Sequence, residues 1–187
     1  MNSRLHGSED ALAEIPCRRI RRNTAPQVLI GGLGMGYTLS AALEVLPPDA
    51  RITVSELIPA VVAWNREHLG HLSGMPLKDP RVSVDIEDVA ETIKKRADTW
   101  NAILLDVDNG PGGLTRKEND RLYGSPGLRT AFSALRPGGI LAVWSSGTDE
   151  AFTRRLKQAG FKTEIVTLRA RRTGKGGRHT IWLGAKP

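Results

Sequence analysis

The sequence predicts an α/β fold: a doubly wound, Rossmann-like sheet that is mostly parallel, seven-stranded and finished by a C-terminal antiparallel hairpin strand. Three observations predict it. Short β-forming runs, several of them apolar almost throughout, alternate with helical patterns from residue 27 onward, as strands covered on both faces do. Four glycines fall within six positions directly after the first run, in VLIGGLGMG at 28–36. Near the end, FKTEIVTLRA and RHTIWLGA are joined by RRTGKGG, which leaves no room for a helix, so the two runs must form a hairpin.

Each element has its own warrant. The expected parallel strands are QVLIG at 27–31, RITVSE at 51–56, RVSVDI at 81–86, NAILLD at 101–106 and GILAVWS at 139–145. Leu39, Ala42, Leu43 and Leu46 repeat with helical period until Pro47-Pro48 stops the helix. Ser125-Pro126 opens another helix, with Leu128, Ala131, Phe132 and Leu135 on one stripe, and Pro137-Gly138-Gly139 is expected to end it. Thr148 is the expected cap of a helix whose Phe152, Leu156 and Ala159 face inward and whose end is Gly160. A parallel sheet that closes with an antiparallel hairpin strand is characteristic of the class I methyltransferase fold. Residues 1–25 are expected as a helical lead-in and 26–187 as one ligand-binding domain.

A chain of 187 residues with 40% hydrophobic content can bury one good core. MNSRLHGSEDALAEI has no apolar signal region, no apolar stretch is long enough to span a bilayer, and the single Cys17 cannot form an internal disulfide. The expectation is a soluble, cytoplasmic protein without membrane contact. The charge of +7 is concentrated in CRRIRR at 17–22 and LRARRTGKGGRH at 168–179. Solvated arginine faces are the simpler reading of these clusters, and a phosphate or nucleic-acid contact is the alternative.

Ligands of such folds bind beyond the carboxyl ends of the strands, where the first βα turn lets backbone approach them. A dinucleotide loop needs G-x-G-x-x-G, yet Tyr37 stands where its third glycine belongs. The pattern is instead G-x-G-x-G, with Gly32, Leu33, Gly34 and Gly36, the loop of S-adenosylmethionine enzymes. Glu56 ends the second strand, followed by Leu57, and its carboxylate can accept from both ribose hydroxyls. The third strand ends in Glu87-Asp88, so that Asp88 can accept from an adenine amino group while Ile86 and Val89 flank the ring. Asp88 can equally serve as the N-cap of VAETIKKR. Asp106 ends the fourth strand and Asp108 follows in NAILLDVDNGPGG, facing the sulfonium end of the ligand. A carboxylate there can bind the ligand's ammonium or take a proton from an attacking amine or hydroxyl.

VLIGGLGMG, ITVSELIPAVV, DPRVSVDIEDVAETI, NAILLDVDNGPG and ALRPGGILAV run in an order that resembles the spermidine synthase family, the polyamine aminopropyltransferases. HGSEDALAEI at 6–15 also resembles the segment preceding the catalytic domain of bacterial spermidine synthase-like proteins. The resemblance implies the methyltransferase fold, decarboxylated S-adenosylmethionine as aminopropyl donor, ribose on Glu56, adenine on Asp88, and Asp106 as base. Two family acids are missing: Gly34 stands at the aspartate of GGGDGG, and Asn109 stands where a D-S-x-D-P motif has its second aspartate. Because a polycationic acceptor needs several carboxylates, and Gly34 leaves space for the carboxylate of S-adenosylmethionine itself, methyl transfer to a small-molecule acceptor is the leading expectation. Aminopropyl transfer is the alternative.

Other readings are weighed beside these. A metal-dependent O-methyltransferase would use Asp106-Val107-Asp108, but WSSGTDE after the fifth strand puts Asp149 far along for a ligand. A non-catalytic module would dock nucleic acid through Arg171, Arg172, Lys175 and Arg178, a reading weakened by the absence of NPPY. A homodimer is the oligomer considered. His6, His68, His71 and His179 lack metal-ligand spacing. Trp144 is expected near the substrate, and 114–127 is expected as a lid anchored by Tyr123.

Overall fold

The computed structural model describes residues 6–107, 110–111, 120–169 and 177–187. Its strands are Gln27–Gly31 (β1), Arg51–Ser55 (β2), Val82–Asp85 (β3), Trp100–Leu105 (β4), Leu135–Ser145 (β5), Lys162–Arg169 (β6) and Arg178–Ala185 (β7). They form one seven-stranded sheet in the order β3-β2-β1-β4-β5-β7-β6. The β1–β2, β2–β3, β1–β4 and β4–β5 pairs are parallel, whereas β7 runs antiparallel to both β5 and β6. The sheet therefore has the predicted doubly wound class I methyltransferase architecture, hairpin included.

The helices are Gly7–Ile20 (α1), Tyr37–Val45 (α2), Pro59–Trp64 (α3), Val89–Lys94 (α4), Asp120–Tyr123 (α5), Ser125–Ala134 (α6) and Glu150–Gln158 (α7). Strand alternation sorts the core onto two faces. Val28, Ile30, Ala102, Leu104, Ile140, Ala142, Ile181 and Leu183 face α1 and α2, where they meet Leu12, Ala13, Cys17, Ile20 and Leu39. Leu29, Ile103, Leu105, Leu141, Val143 and Trp182 face α4, α6 and α7, with Ile93, Leu128, Phe152 and Leu156. The helix expected as a lead-in thus covers one face of the sheet, and Arg19 ties it to Glu164 of β6 at 2.9 Å. Burial pushes the Cys17 thiol up to about 12.

Two boundaries differ from expectation. Leu135 is not the last residue of the helical stripe: its backbone is already extended (φ −77°, ψ 144°), and it pairs with Trp100 as the first residue of β5. Pro137-Gly138-Gly139 lie inside that strand, at the register shift between Trp100 and Ala102. Thr148 does not cap α7. Asp149 does, its Oδ1 accepting from the Phe152 amide at 2.9 Å, and it also pairs with Arg155. Gly160, at φ +100°, ends that helix region as expected.

Candidate functional site

The glycine turn sits at the carboxyl end of β1 with Gly32, Gly34 and Gly36 at φ +86°, +51° and +82°. At Gly32 a Cβ would stand 2.6 Å from the Asp106 carbonyl oxygen, so both the conformation and the space require glycine. Glu56 is buried beneath the loop, its two carboxylate oxygens accepting from the Leu33 and Ile58 amides at 2.9 Å each. A carboxylate offers about four lone-pair directions, so these two bonds leave acceptor capacity on Glu56.

Asn65 closes the loop from the other side. Its Nδ2 donates to the Gly34 carbonyl at 2.8 Å and to the Val61 carbonyl at 2.9 Å, from a π-helical turn over Asn65–Leu69 that continues α3. Single π turns occur inside α-helices frequently at functional sites. No motif or spacing marks Asn65 in the sequence, which is why the reading above missed it.

At the ends of β2 and β3, Leu57, Ile58 and Ile86 are 61%, 54% and 54% exposed, an apolar rim beside Glu56. Val89 does not belong to it. It is buried against Gly31 and Leu105, so it floors the cleft from within the core instead of flanking a ring. Asp88 caps α4, with Oδ1 accepting from the Ala90 amide at 2.9 Å and Oδ2 3.7 Å from Arg121. The Glu87 carboxylate is taken up by Lys95, which holds it below the usual carboxylate range, while its carbonyl accepts from Ser55 Oγ at 2.9 Å. Glu87 therefore supports the cleft through its backbone. Beyond Arg121 a cavity of about 350 Å³ opens between α4 and α6, lined by Ala90, Ile93, Leu122 and Pro126.

Asp106 stands at the end of β4, its amide donating to the Gly31 carbonyl at 3.0 Å and its Oδ2 accepting from Thr38 Oγ1 at 2.7 Å. Burial pushes its carboxyl up to about 6, the Thr38 hydroxyl opposes that rise, and the charge of Glu9 adds to it. Asp108 and residues 114–119 lie outside the described residues. Tyr123, the expected anchor of that segment, is buried and its hydroxyl reaches the Val107 carbonyl at 3.5 Å.

The first turn of α1 forms the remaining wall. His6 stacks on Tyr37 with ring centroids 4.4 Å apart and bonds Asp10 at 2.9 Å. The Glu9 charge raises Tyr37 and His179 as well as Asp106, after burial in the case of Tyr37 and against it in the case of His179. Trp144, at the end of β5, packs edge-on to His179 at 4.9 Å. Thr38 and Glu9 were not legible in the sequence, because only the packing of α2 beside β4 and of α1 across the sheet brings them toward Asp106.

The family described as the spermine/spermidine synthase domain matches residues 8–155, most of the chain. The chain belongs to that family. Among relatives of this spermidine synthase-like chain, a polyamine aminopropyltransferase of Moorella thermoacetica is 25% identical over 183 residues, covering 95% of this chain and 61% of that protein. Another from Korarchaeum cryptofilum is 26% identical over 121 residues, 65% of this chain. The chain spans 36% of the length of the Korarchaeum protein and 38% of that of a Synechococcus relative. Among solved structures, spermidine synthase from Thermotoga maritima has a TM-score of 0.74 at 20% identity, over 96% of this chain and 60% of that one. Human methyltransferase-like protein 13, in complex with SAH, has 0.73 at 19%, over 96% and 82%. The spermidine synthase-like chain thus shares its fold with both kinds of protein.

Proposed function

We propose that this chain is a transferase that holds an S-adenosylmethionine-type nucleoside on the glycine turn and moves an aminopropyl group from the decarboxylated form to a small-molecule amine. The observation that carries it is that the first turn of α1 packs on α2, His6 stacking on Tyr37 with centroids 4.4 Å apart, and so brings the Glu9 carboxylate near enough for its charge to raise the Asp106 carboxyl. The two family acids absent from the sequence argued against a cationic acceptor, and Glu9 supplies a carboxylate from a different element. Two carboxylates at such a site favour an ammonium over a neutral acceptor.

The residues present fit the nucleoside. The glycine turn presents backbone without side chains at Gly32, Gly34 and Gly36, Glu56 keeps lone pairs free for ribose hydroxyls, and exposed Leu57, Ile58 and Ile86 offer apolar cover for a base. Asp88 keeps an oxygen that its capping bond does not use. When bound, such a ligand supplies a carbon activated by a sulfonium. Asp106, with its carboxyl near 6, is ionised at neutral pH yet basic enough to accept a proton from an acceptor ammonium. Thr38 orients that carboxylate.

Methyl transfer from S-adenosylmethionine is the second reading, favoured by Gly34, which leaves room for the ligand's own carboxylate. Product identity separates the two. Incubation with each donor and a panel of diamines, followed by mass spectrometry, should release 5′-methylthioadenosine from the decarboxylated donor. Release of S-adenosylhomocysteine instead would establish the methyl reading, and neither product with any acceptor would sink both.

A further inference from the structure

Three adjacent strands end in one row on the face that α1 covers. Asp106 continues the β4 alternation of Ala102 and Leu104, Trp144 that of Ile140 and Ala142, and His179 that of Ile181 and Leu183, all residues of the α1-side core. Leu105 pairs with Val143, and Ser145 pairs with Thr180, so His179 lies two strands from Asp106 on the same carboxyl edge. At the usual strand spacing the two strands are roughly 10 Å apart, with Trp144 of β5 between them.

Over this row the first turn of α1 builds a relay. His179 Nδ1 lies 2.8 Å from Ser8 Oγ, and Ser8 Oγ donates to Glu9 Oε2 at 3.2 Å. Ser8 is fully buried, so its hydroxyl has these neighbours and no solvent. A carboxylate only accepts, and a hydroxyl has one hydrogen to give. With that hydrogen on Glu9, Ser8 Oγ must accept from His179, so the histidine proton sits on Nδ1 and Nε2 carries a bare lone pair. No hydrogen-bond partner occupies Nε2 among the described residues. The Trp144 ring packs edge-on to His179 with centroids 4.9 Å apart, and its Nε1 is a buried donor without a partner among the described residues. A buried donor left unpaired is costly, which marks this corner as one that a ligand atom completes.

We propose that His179, its tautomer fixed through Ser8 by Glu9, is a second proton acceptor for the incoming amine, on the same strand edge as Asp106. This rests on the transferase reading above. In the step, an acceptor N–H bond breaks, its proton passes to His179 Nε2, and the electron pair stays on nitrogen as the nucleophilic lone pair; the imidazolium later returns the proton to solvent. Burial, which lowers the His179 basicity against the opposing pull of Glu9, keeps the ring neutral at pH 7. Among the described residues, the charged groups about it are Glu9 on α1, Arg178 on its own strand and Arg169 on β6, which is in register with Arg178; β5 contributes Trp144, which does not titrate.

The first test needs no turnover. Long-range ¹H–¹⁵N spectra of the ¹⁵N-histidine-labelled full chain at pH 7 should show His179 neutral with Nδ1 protonated, and Ser8→Ala should convert it to a mixture of tautomers. A proton on Nε2, or a charged ring at pH 7, would overturn the proposal whether or not the chain is a transferase. Adding 1,4-diaminobutane with 5′-methylthioadenosine should shift the Nε2 resonance; an unmoved resonance while calorimetry reports diamine binding would also overturn it. With an active enzyme, His179→Gln should lower kcat roughly 100-fold with KM little changed and remove one ionisation from the kcat/KM profile. Unchanged kcat in a folded His179→Gln protein would count against the role.

Discussion

Thr38 Oγ1 donates to Asp106 Oδ2 at 2.7 Å, joining the first turn of α2 to the end of β4 across the glycine turn. Both groups are on elements that flank the turn, so a ligand held there meets a carboxylate whose orientation is already set. The hydroxyl holds the carboxylate in place, while burial makes its charge expensive.

Asp106→Asn should therefore abolish transfer while stabilising the fold at alkaline pH. The folded carboxyl is raised from 3.8 to about 6, so its contribution to stability is fully present below about pH 4 and lost as pH rises through 6. Removing the charge should recover about 1–3 kcal/mol at pH 8, allowing for partial solvent screening, and nearly nothing at pH 3.5. Urea melts of both proteins at the two pH values measure this. An equal difference at both would refute the shift. Activity of the parent should fall as pH drops through about 6.

Glu56→Gln is not a conservative change here. The Leu33 and Ile58 amides both donate to the carboxylate, and a glutamine would turn its own NH₂ toward one of them. The expected cost is about 1–3 kcal/mol of stability, together with at least tenfold weaker nucleoside binding by calorimetry. Full affinity in Glu56→Gln would remove Glu56 from the ribose role.

Gly32→Ala and Gly74→Ala separate space from conformation. Both glycines have positive φ, +86° and +78°, but a Cβ at Gly32 would strike the Asp106 carbonyl at 2.6 Å while at Gly74 it meets nothing within 4 Å. Gly74→Ala should cost only the left-handed strain of about 1–2 kcal/mol. Gly32→Ala should cost about 2–5 kcal/mol once the clash is added, and should lose nucleoside binding. Thermal denaturation of the pair checks the ordering.

Leu12→Ala tests whether α1 is integral to the domain. Leu12 is fully buried in the core that α1 shares with β1, β4, β5 and β7. The expected loss is about 2–5 kcal/mol in a single cooperative chemical melt. A change under about 0.5 kcal/mol, the range of surface substitutions, would make the helix peripheral.

The strands, the glycine turn and the acids at strand ends were determined by the sequence itself. Their signals are local: a strand buried on both faces must be apolar residue after residue, and a turn with three positive φ values must carry glycine. Glu56 and Asp106 could be placed because they end such strands. Local signals failed where two local readings compete, as at Leu135, whose apolar side chain suits a helix stripe or a buried strand equally, and at Val89, whose inward direction depends on Gly31 having no side chain. Tertiary structure alone decided the other wall of the site. Asn65 reaches Gly34 through a π turn, Thr38 reaches Asp106 over 68 residues, and Ser8 reaches His179 over 171. No pattern along the chain encodes those distances, because they exist only once the helices pack on the sheet and, for Ser8, once α1 lies across it and the antiparallel β7 returns His179 to the edge where the parallel strands end.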